Sequence, residues 1–325
     1  MPRRLLPLAA TLAALAVLPA AAQAKAAPQY YVSLGDSYAS GYQPTTGNTT
    51  AGFAYQVGKF ATPRGYKLTL VNFGCGGATT TSLLKQKGCP KLALGPGAPD
   101  YAKTTQIAAA ERFIRAHRAQ VKLITVSISG NDVTKCAKVP IAQVGDCVSG
   151  ALTGINQNLS QTVKRLRTAA GAKPKIVGIT YPDVILGGWV RPGGRALAEP
   201  SVAVFKSLIN PALKKQYESV KGTFVDVTAA TGAYTPLDQT TTLAPYGVIP
   251  VAVAKVCQLT WYCQRGDIHA NRTGYGRVTH QRLIQYAVGH RAASLARATE
   301  CRMAMDGPPA VRAGPFPVAA SNMGQ

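Results

Sequence analysis

The stretch that decides the fold is Tyr30-Tyr31-Val32-Ser33-Leu34-Gly35-Asp36-Ser37. Its first five residues are rich in strand formers, and Gly35 with the following run Tyr38-Ala39-Ser40-Gly41 ends the strand in a turn. A chain that leaves a strand for a helix exposes unpaired backbone N–H groups, so Ser37 presents its hydroxyl beside ready hydrogen-bond donors. An α/β enzyme carries a nucleophile at such a place, and many other folds carry a plain turn there. The rest of the chain decides between the two.

Outward from this junction, strand and helix patterns alternate. Residues 52–61 read as a short helix, 66–73 as a second strand, 79–85 as the start of a helix, 95–99 as a loop, and 104–117 as a helix. Residues 121–128 read as a buried strand, and 151–170 as a long helix with Ile155, Leu159, Val163 and Leu166 on one face. A strand at 175–180, a helix at 201–220 and a fifth strand at 223–227 follow, then a loop at 235–250 and a last helix at 271–298. Strands separated by helices form βαβ units. The pattern predicts a mostly parallel five-stranded sheet between two helical layers, an α/β/α domain over residues 28–298.

Residues 1–24 read as a signal peptide: Arg3 and Arg4 precede an apolar run, and Ala22-Gln23-Ala24 forms a cleavage site. The run is shorter than the ~20 residues a spanning helix needs, so the chain is expected to be secreted after cleavage near Ala24. Residues 299–325 hold Pro308, Pro309, Gly314, Pro315 and Pro317 without periodicity and read as a disordered tail. With 46% hydrophobic and 15% charged residues the rest is able to bury a large core, which excludes a disordered chain.

Seven cysteines in an exported chain predict disulfides. Pairing sequence neighbours gives Cys75 with Cys89, Cys136 with Cys147 and Cys257 with Cys263, leaving Cys301, although six cysteines admit many connectivities. No Cys-x-x-Cys pair and no histidine at ligand spacing appears, so no metal site is expected. The net charge of +23 favours electrostatic association with an anionic membrane or cell-wall surface. Basic residues such as Arg112, Arg115 and Arg118, or Lys164, Arg165 and Arg167, are scattered rather than clustered with aromatics, so a solvated basic surface is the first reading of the charge and surface association the second. No specific nucleic-acid site is expected.

Four groups fall where a parallel sheet gathers its ligand-facing ends. Ser37 supplies a hydroxyl, Gly76 and Gly77 offer unobstructed N–H groups, Asn131 in Gly130-Asn131-Asp132 offers an amide, and His269 offers a base. A serine is a poor nucleophile until a base takes its proton, and acyl attack creates an oxyanion that needs donors. Asp36 and Asp132 read as loop-holding residues, and His117, His280 and His290 as solvated helix residues.

These blocks, Gly35-Asp36-Ser37-Tyr38, Asn72-Phe73-Gly74-Cys75-Gly76-Gly77-Ala78-Thr79-Thr80, Gly130-Asn131-Asp132 and Asp267-Ile268-His269-Ala270-Asn271, resemble those of the GDSL or SGNH hydrolases. The likeness is strongest to exported actinobacterial esterases and lipases. It implies a flavodoxin-like SGNH fold, Ser37 as nucleophile, His269 as base, and an oxyanion hole of the Ser37 N–H, the Gly77 N–H and the Asn131 amide. One position departs from the family pattern: an aspartate is usual three residues before the histidine, whereas Gly266 stands there and Asp267 comes one later. Either Asp267 completes a triad or a backbone carbonyl near Arg265 or Gly266 orients the histidine.

The expected activity is that of a secreted, monomeric serine esterase or lipase acting on lipid or short-chain acyl esters, without metal or organic cofactor. The apolar segments 184–190 and 248–253 are candidates to line an acyl pocket. A polysaccharide O-deacetylase is the second reading, and a non-catalytic binder of anionic surface polymers the alternative from another class.

Overall fold

Five strands, β1 (Gln29–Gly35), β2 (Leu68–Asn72), β3 (Val121–Ser127), β4 (Lys175–Ile179) and β5 (Thr223–Val225), form one sheet in the order β2-β1-β3-β4-β5. Every pairing is parallel, and the register sets Ser33 opposite both Asn72 and Thr125. The computed structural model describes residues 27–278; the expected leader, the expected tail, Cys301 and most of the expected last helix lie outside them.

The connecting helices begin with α1 (Ser37–Ser40), α2 (Phe53–Ala61), α3 (Thr80–Lys85), α4 (Gln106–Ala116), α5 (Gly130–Val133) and α6 (Val144–Ala170). They continue with α7 (Arg195–Val204), α8 (Asn210–Glu218), α9 (Val227–Ala230), α10 (Val251–Leu259), α11 (Tyr262–Arg265) and α12 (Arg272–Val278). Strand alternation explains the layers. Val32, Leu34, Ile124, Val126 and Ile176 turn to the face covered by α3, α4, α6 and α8, while Tyr31, Leu123, Val177 and Ile179 turn to the face covered by α2 and α12. The strand order is that of a flavodoxin-like doubly wound sheet, whose crevice opens at the carboxyl ends of β1 and β3, where the winding reverses. Gly178 on β4 is required by packing, since a Cβ there would stand 2.1 Å from the ring of Tyr217.

Three differences from the sequence reading have physical causes. Residues 201–220 are not one helix: α7 starts at Arg195 and a π-turn over Phe205–Ile209 precedes α8. Pro211 has no N–H for the i−4 carbonyl, so the ladder shifts and Asn210 N–H reaches back to the Phe205 carbonyl. Residues 235–250 contain a hairpin, Thr240–Leu243 against Gly247–Pro250, built on a threonine run and closed by Gly247 with φ 73°. Helix α10 then packs Ala252, Val253 and Val256 against Leu186 and Ala198 in a separate small core. Residues 248–253 serve that core and the surface, Val248 being 70% exposed, and do not line the cleft described below.

The three sequence-near cysteine pairs form disulfides, with Cα atoms 5.9 Å apart for Cys75–Cys89, 5.6 Å for Cys136–Cys147 and 5.1 Å for Cys257–Cys263.

Candidate active site

Strand β1 ends at Gly35, whose φ of 143° and close approach to β3 leave no room for a side chain: a Cβ would lie 2.0 Å from the Ser127 carbonyl oxygen. Asp36 caps the single turn of α1, its Oδ1 accepting the Tyr38 N–H at 2.9 Å. Ser37 is therefore the first helical residue, and its N–H makes no hydrogen bond among the described residues. The Tyr181 hydroxyl donates to Asp36 Oδ2 at 2.5 Å. Burial pushes the Asp36 carboxyl up to about 7, against the lowering pull of its bonds from Tyr181 and Tyr38. Its place is structural, as its neighbourhood to a turn suggests.

The histidine arrives from the far end of the chain. Helix α11 stops at Gly266, φ 69°, and the turn before α12 carries Asp267 and His269. His269 Nε2 lies 2.7 Å from Ser37 Oγ, and Nδ1 lies 2.8 Å from Asp267 Oδ1. The same Asp267 oxygen accepts the His269 backbone N–H at 2.9 Å. An aspartate reaches the N–H two residues on in an Asx-turn, so an acid one place nearer than the family pattern still meets the ring. Backbone contacts fix the turn. The Tyr38 hydroxyl donates to the Ile268 carbonyl at 2.6 Å, Trp261 N–H to the His269 carbonyl at 3.0 Å, and Gln43 Nε2 to the Ala270 carbonyl at 2.8 Å. The Tyr42 ring lies 4.4 Å from the imidazole, centroid to centroid. Burial lowers the His269 pKa below its ordinary value, and the Asp267 carboxylate works in the opposite direction.

Asn131 stands at the carboxyl end of β3. Its Nδ2 donates to the Ala78 carbonyl at 2.9 Å, leaving a second N–H. Asp132 ties the same turn to α3, accepting from Thr80 N–H at 3.0 Å and Thr80 Oγ1 at 2.7 Å. Gly77, with φ 79° and an N–H that makes no hydrogen bond among the described residues, sits one residue before the carbonyl that Asn131 grips. Ser37 and Asn131 line one cleft, whereas Gly77 lines a neighbouring, more polar pocket with Cys75, Thr79 and Ser82.

The cleft that carries Ser37 and Asn131 has a cavity volume of about 110 Å³ and is lined further by Val133, Val148, Val184, Leu197 and Phe205. Of the two apolar segments singled out in the sequence, 184–190 contributes to it. Two supporting residues had no sequence signal: Tyr181, against whose ring Gly130 packs, and Gln106, whose amide bonds the backbone of Gly35. Both are polar side chains inside otherwise ordinary strand-end and helix patterns.

Residues 33–277 match the model of the GDSL-like Lipase/Acylhydrolase family. Among solved structures, a phospholipase A1 from Streptomyces albidoflavus NA297 is similar, with 20% identity over 64% of this chain and 83% of that one, at a TM-score of 0.41. A carbohydrate acetylesterase family member from Sinorhizobium meliloti has 15% identity over 81% of this chain and 100% of its own, at a TM-score of 0.43. An acetylxylan esterase from Geobacillus stearothermophilus has 14% identity over 81% and 95%, also at 0.43. No curated protein matches the chain.

Proposed function

The chain belongs to the GDSL-like lipase/acylhydrolase family and is a carboxylic ester hydrolase; on that premise we propose that it cleaves aliphatic acyl esters, lipid esters foremost, through an acyl-enzyme on Ser37. The observation that carries this reading is the run of short contacts Ser37 Oγ to His269 Nε2 at 2.7 Å and His269 Nδ1 to Asp267 Oδ1 at 2.8 Å. His269 takes the serine proton as Oγ attacks the ester carbonyl, and the negative charge moves to the carbonyl oxygen. The N–H groups of Ser37 and Gly77 and the free N–H of the Asn131 amide receive it. Collapse of the tetrahedral intermediate expels the alcohol, which takes the proton from His269. A water, deprotonated by the same nitrogen, then releases the acid and regenerates Ser37. Asp267 fixes the tautomer in which Nδ1 bears the proton and Nε2 the lone pair, and its charge stabilises the imidazolium.

Substrate class follows from the cleft. An acetyl group ends in a single methyl, whereas aliphatic side chains continue along this cavity well past Ser37. Longer acyl chains fill such a lining, which ranks the lipid reading above the polysaccharide deacetylase. The three disulfides fit action in an oxidising compartment outside the cell.

The test is labelling with a serine-reactive fluorophosphonate together with hydrolysis of p-nitrophenyl esters of increasing acyl length. Labelling lost in Ser37→Ala and a preference for chains longer than acetyl are expected. Absence of both labelling and turnover would overturn this reading.

A further inference from the structure

The sheet order places β2 on one side of β1 and β3 on the other, so the loops leaving those two strands flank Ser37. Each is stapled by a disulfide, Cys75–Cys89 on one side and Cys136–Cys147 on the other. Each loop region also raises a bare aliphatic side chain. Leu92, in the turn Lys91–Ala93, is 94% exposed, and Ile141, in the turn Ile141–Gln143, is 54% exposed. Among the described residues only two other large hydrophobics are exposed, and one of them, Leu208, belongs to the π-turn whose Phe205 and Ile209 line the cleft.

Both tips connect to the site. The Leu92 carbonyl accepts the Asn48 amide at 2.9 Å, and Asn48 Oδ1 accepts the hydroxyl of Ser40, in the turn that begins with Ser37, at 2.7 Å. Ile141 lies three residues before Val144, which lines the cleft. Exposed lysines stand near both tips in the chain: Lys85, Lys87 and Lys91 on the first side, Lys135 and Lys138 on the second. The exposed acids in the same stretches are Asp100 and Asp146. Cations around protruding aliphatic tips match a bilayer interface, with lysines at anionic headgroups and the tips in the acyl boundary. The +23 net charge adds long-range attraction of the same sign.

From this arrangement we propose that the rim formed by Leu92, Ile141 and their lysines docks the protein on an anionic lipid surface, with the cleft mouth facing the bilayer. The proposal rests on the reading of the cleft as a lipid-acyl site. A lipid ester then enters from the membrane plane instead of crossing water. No helix among the described residues is long and apolar enough to cross a membrane, and the proposed attachment is through the rim itself.

The full chain is tested by co-sedimentation with phosphatidylglycerol and phosphatidylcholine vesicles at physiological salt, beside p-nitrophenyl acetate turnover in solution. Wild type is expected on phosphatidylglycerol and not on phosphatidylcholine. Each lysine near the surface contributes about fivefold, so K87Q/K91Q/K135Q/K138Q should weaken binding by about 100-fold or more. L92S/I141S should weaken it by roughly tenfold or more, because the tips lose their acyl contacts. Both variants should keep soluble turnover, which shows that they fold. No wild-type binding overturns the proposal, and so does binding that L92S/I141S leaves intact, the sign of attraction to any polyanion. Absence of both fluorophosphonate labelling and soluble turnover in wild type overturns the acyl-enzyme reading alone.

Discussion

Gln106 grips Gly35 with both ends of its amide: the Gly35 N–H donates to Oε1 at 2.8 Å, and Nε2 donates to the Gly35 carbonyl at 3.0 Å. A helix on one face of the sheet thereby fixes the strand end that carries Ser37. The carbonyl keeps a second partner, the Cys75 N–H at 3.0 Å, but no other partner is seen for the Gly35 N–H among the described residues. Gln106→Ala orphans a buried donor at a cost of about 1–3 kcal/mol. Thermal melts should show a drop of several degrees, with kcat falling more than KM rises. Gln106→Glu, which restores only the acceptor, should recover part of both.

Asp267 bonds the ring and the backbone N–H of His269 with one oxygen, so its charge and its acceptor geometry act together. Asp267→Asn keeps the size but is able to stabilise the tautomer with the proton on Nε2, which cannot accept the Ser37 proton. Steady-state kinetics should show kcat lower by about 10⁴-fold at little change in KM. A variant within tenfold of wild type would return the orienting role to a backbone carbonyl near Arg265 or Gly266.

Asn131→Ala removes one oxyanion donor and the bond to the Ala78 carbonyl, while Asp132 still holds Thr80. The expected loss is about 10²- to 10³-fold in kcat with KM nearly unchanged. An unaltered kcat would leave the charge to the Ser37 and Gly77 N–H groups alone.

The neutral imidazole is the working base, and burial favours the neutral form. As pH falls through the ordinary histidine value near 6.5, wild type should keep its activity and lose it only at lower pH. A plot of kcat/KM against pH on a soluble ester tests this; an acid limb above 6.5 would mean that the pull of Asp267 outweighs burial.

The sequence was most legible where chemistry is local. Ser37, Asn131, Asp267 and His269 stand in short blocks at strand or helix ends, and the strands between them carry their own hydrophobic signature. Gln106 was invisible because a glutamine in an amphipathic helix looks like a surface residue until the fold buries it, 3% exposed, beside Gly35. The hairpin at residues 240–250 was equally obscure, since its threonines are 240–242 in a polar context and only pairing with Gly247–Pro250 makes them a strand. The π-turn before Pro211 needed the reverse: the proline was visible, but a helix that continues past it depends on tertiary packing of Phe205 and Ile209.

Asp36 gives a stability prediction whose sign is fixed by its surroundings. Buried beside Tyr38, Tyr181 and the charge of Asp132, it holds its proton up to about pH 7, against 3.8 ordinarily. Between those values the folded state binds more protons than the unfolded chain, so the contribution of this group is complete below about 4 and is lost as pH rises through 7. The ceiling on the loss is about 4 kcal/mol. Asp36→Asn does not titrate, and its side-chain oxygen still accepts the Tyr38 N–H while its amide meets the Tyr181 hydroxyl. The melting temperature of the variant relative to wild type should therefore climb from pH 4.5 to pH 7.5. A constant difference across that window would mean that Asp36 is ionised in the folded protein throughout, with the Tyr181 and Tyr38 bonds outweighing its burial.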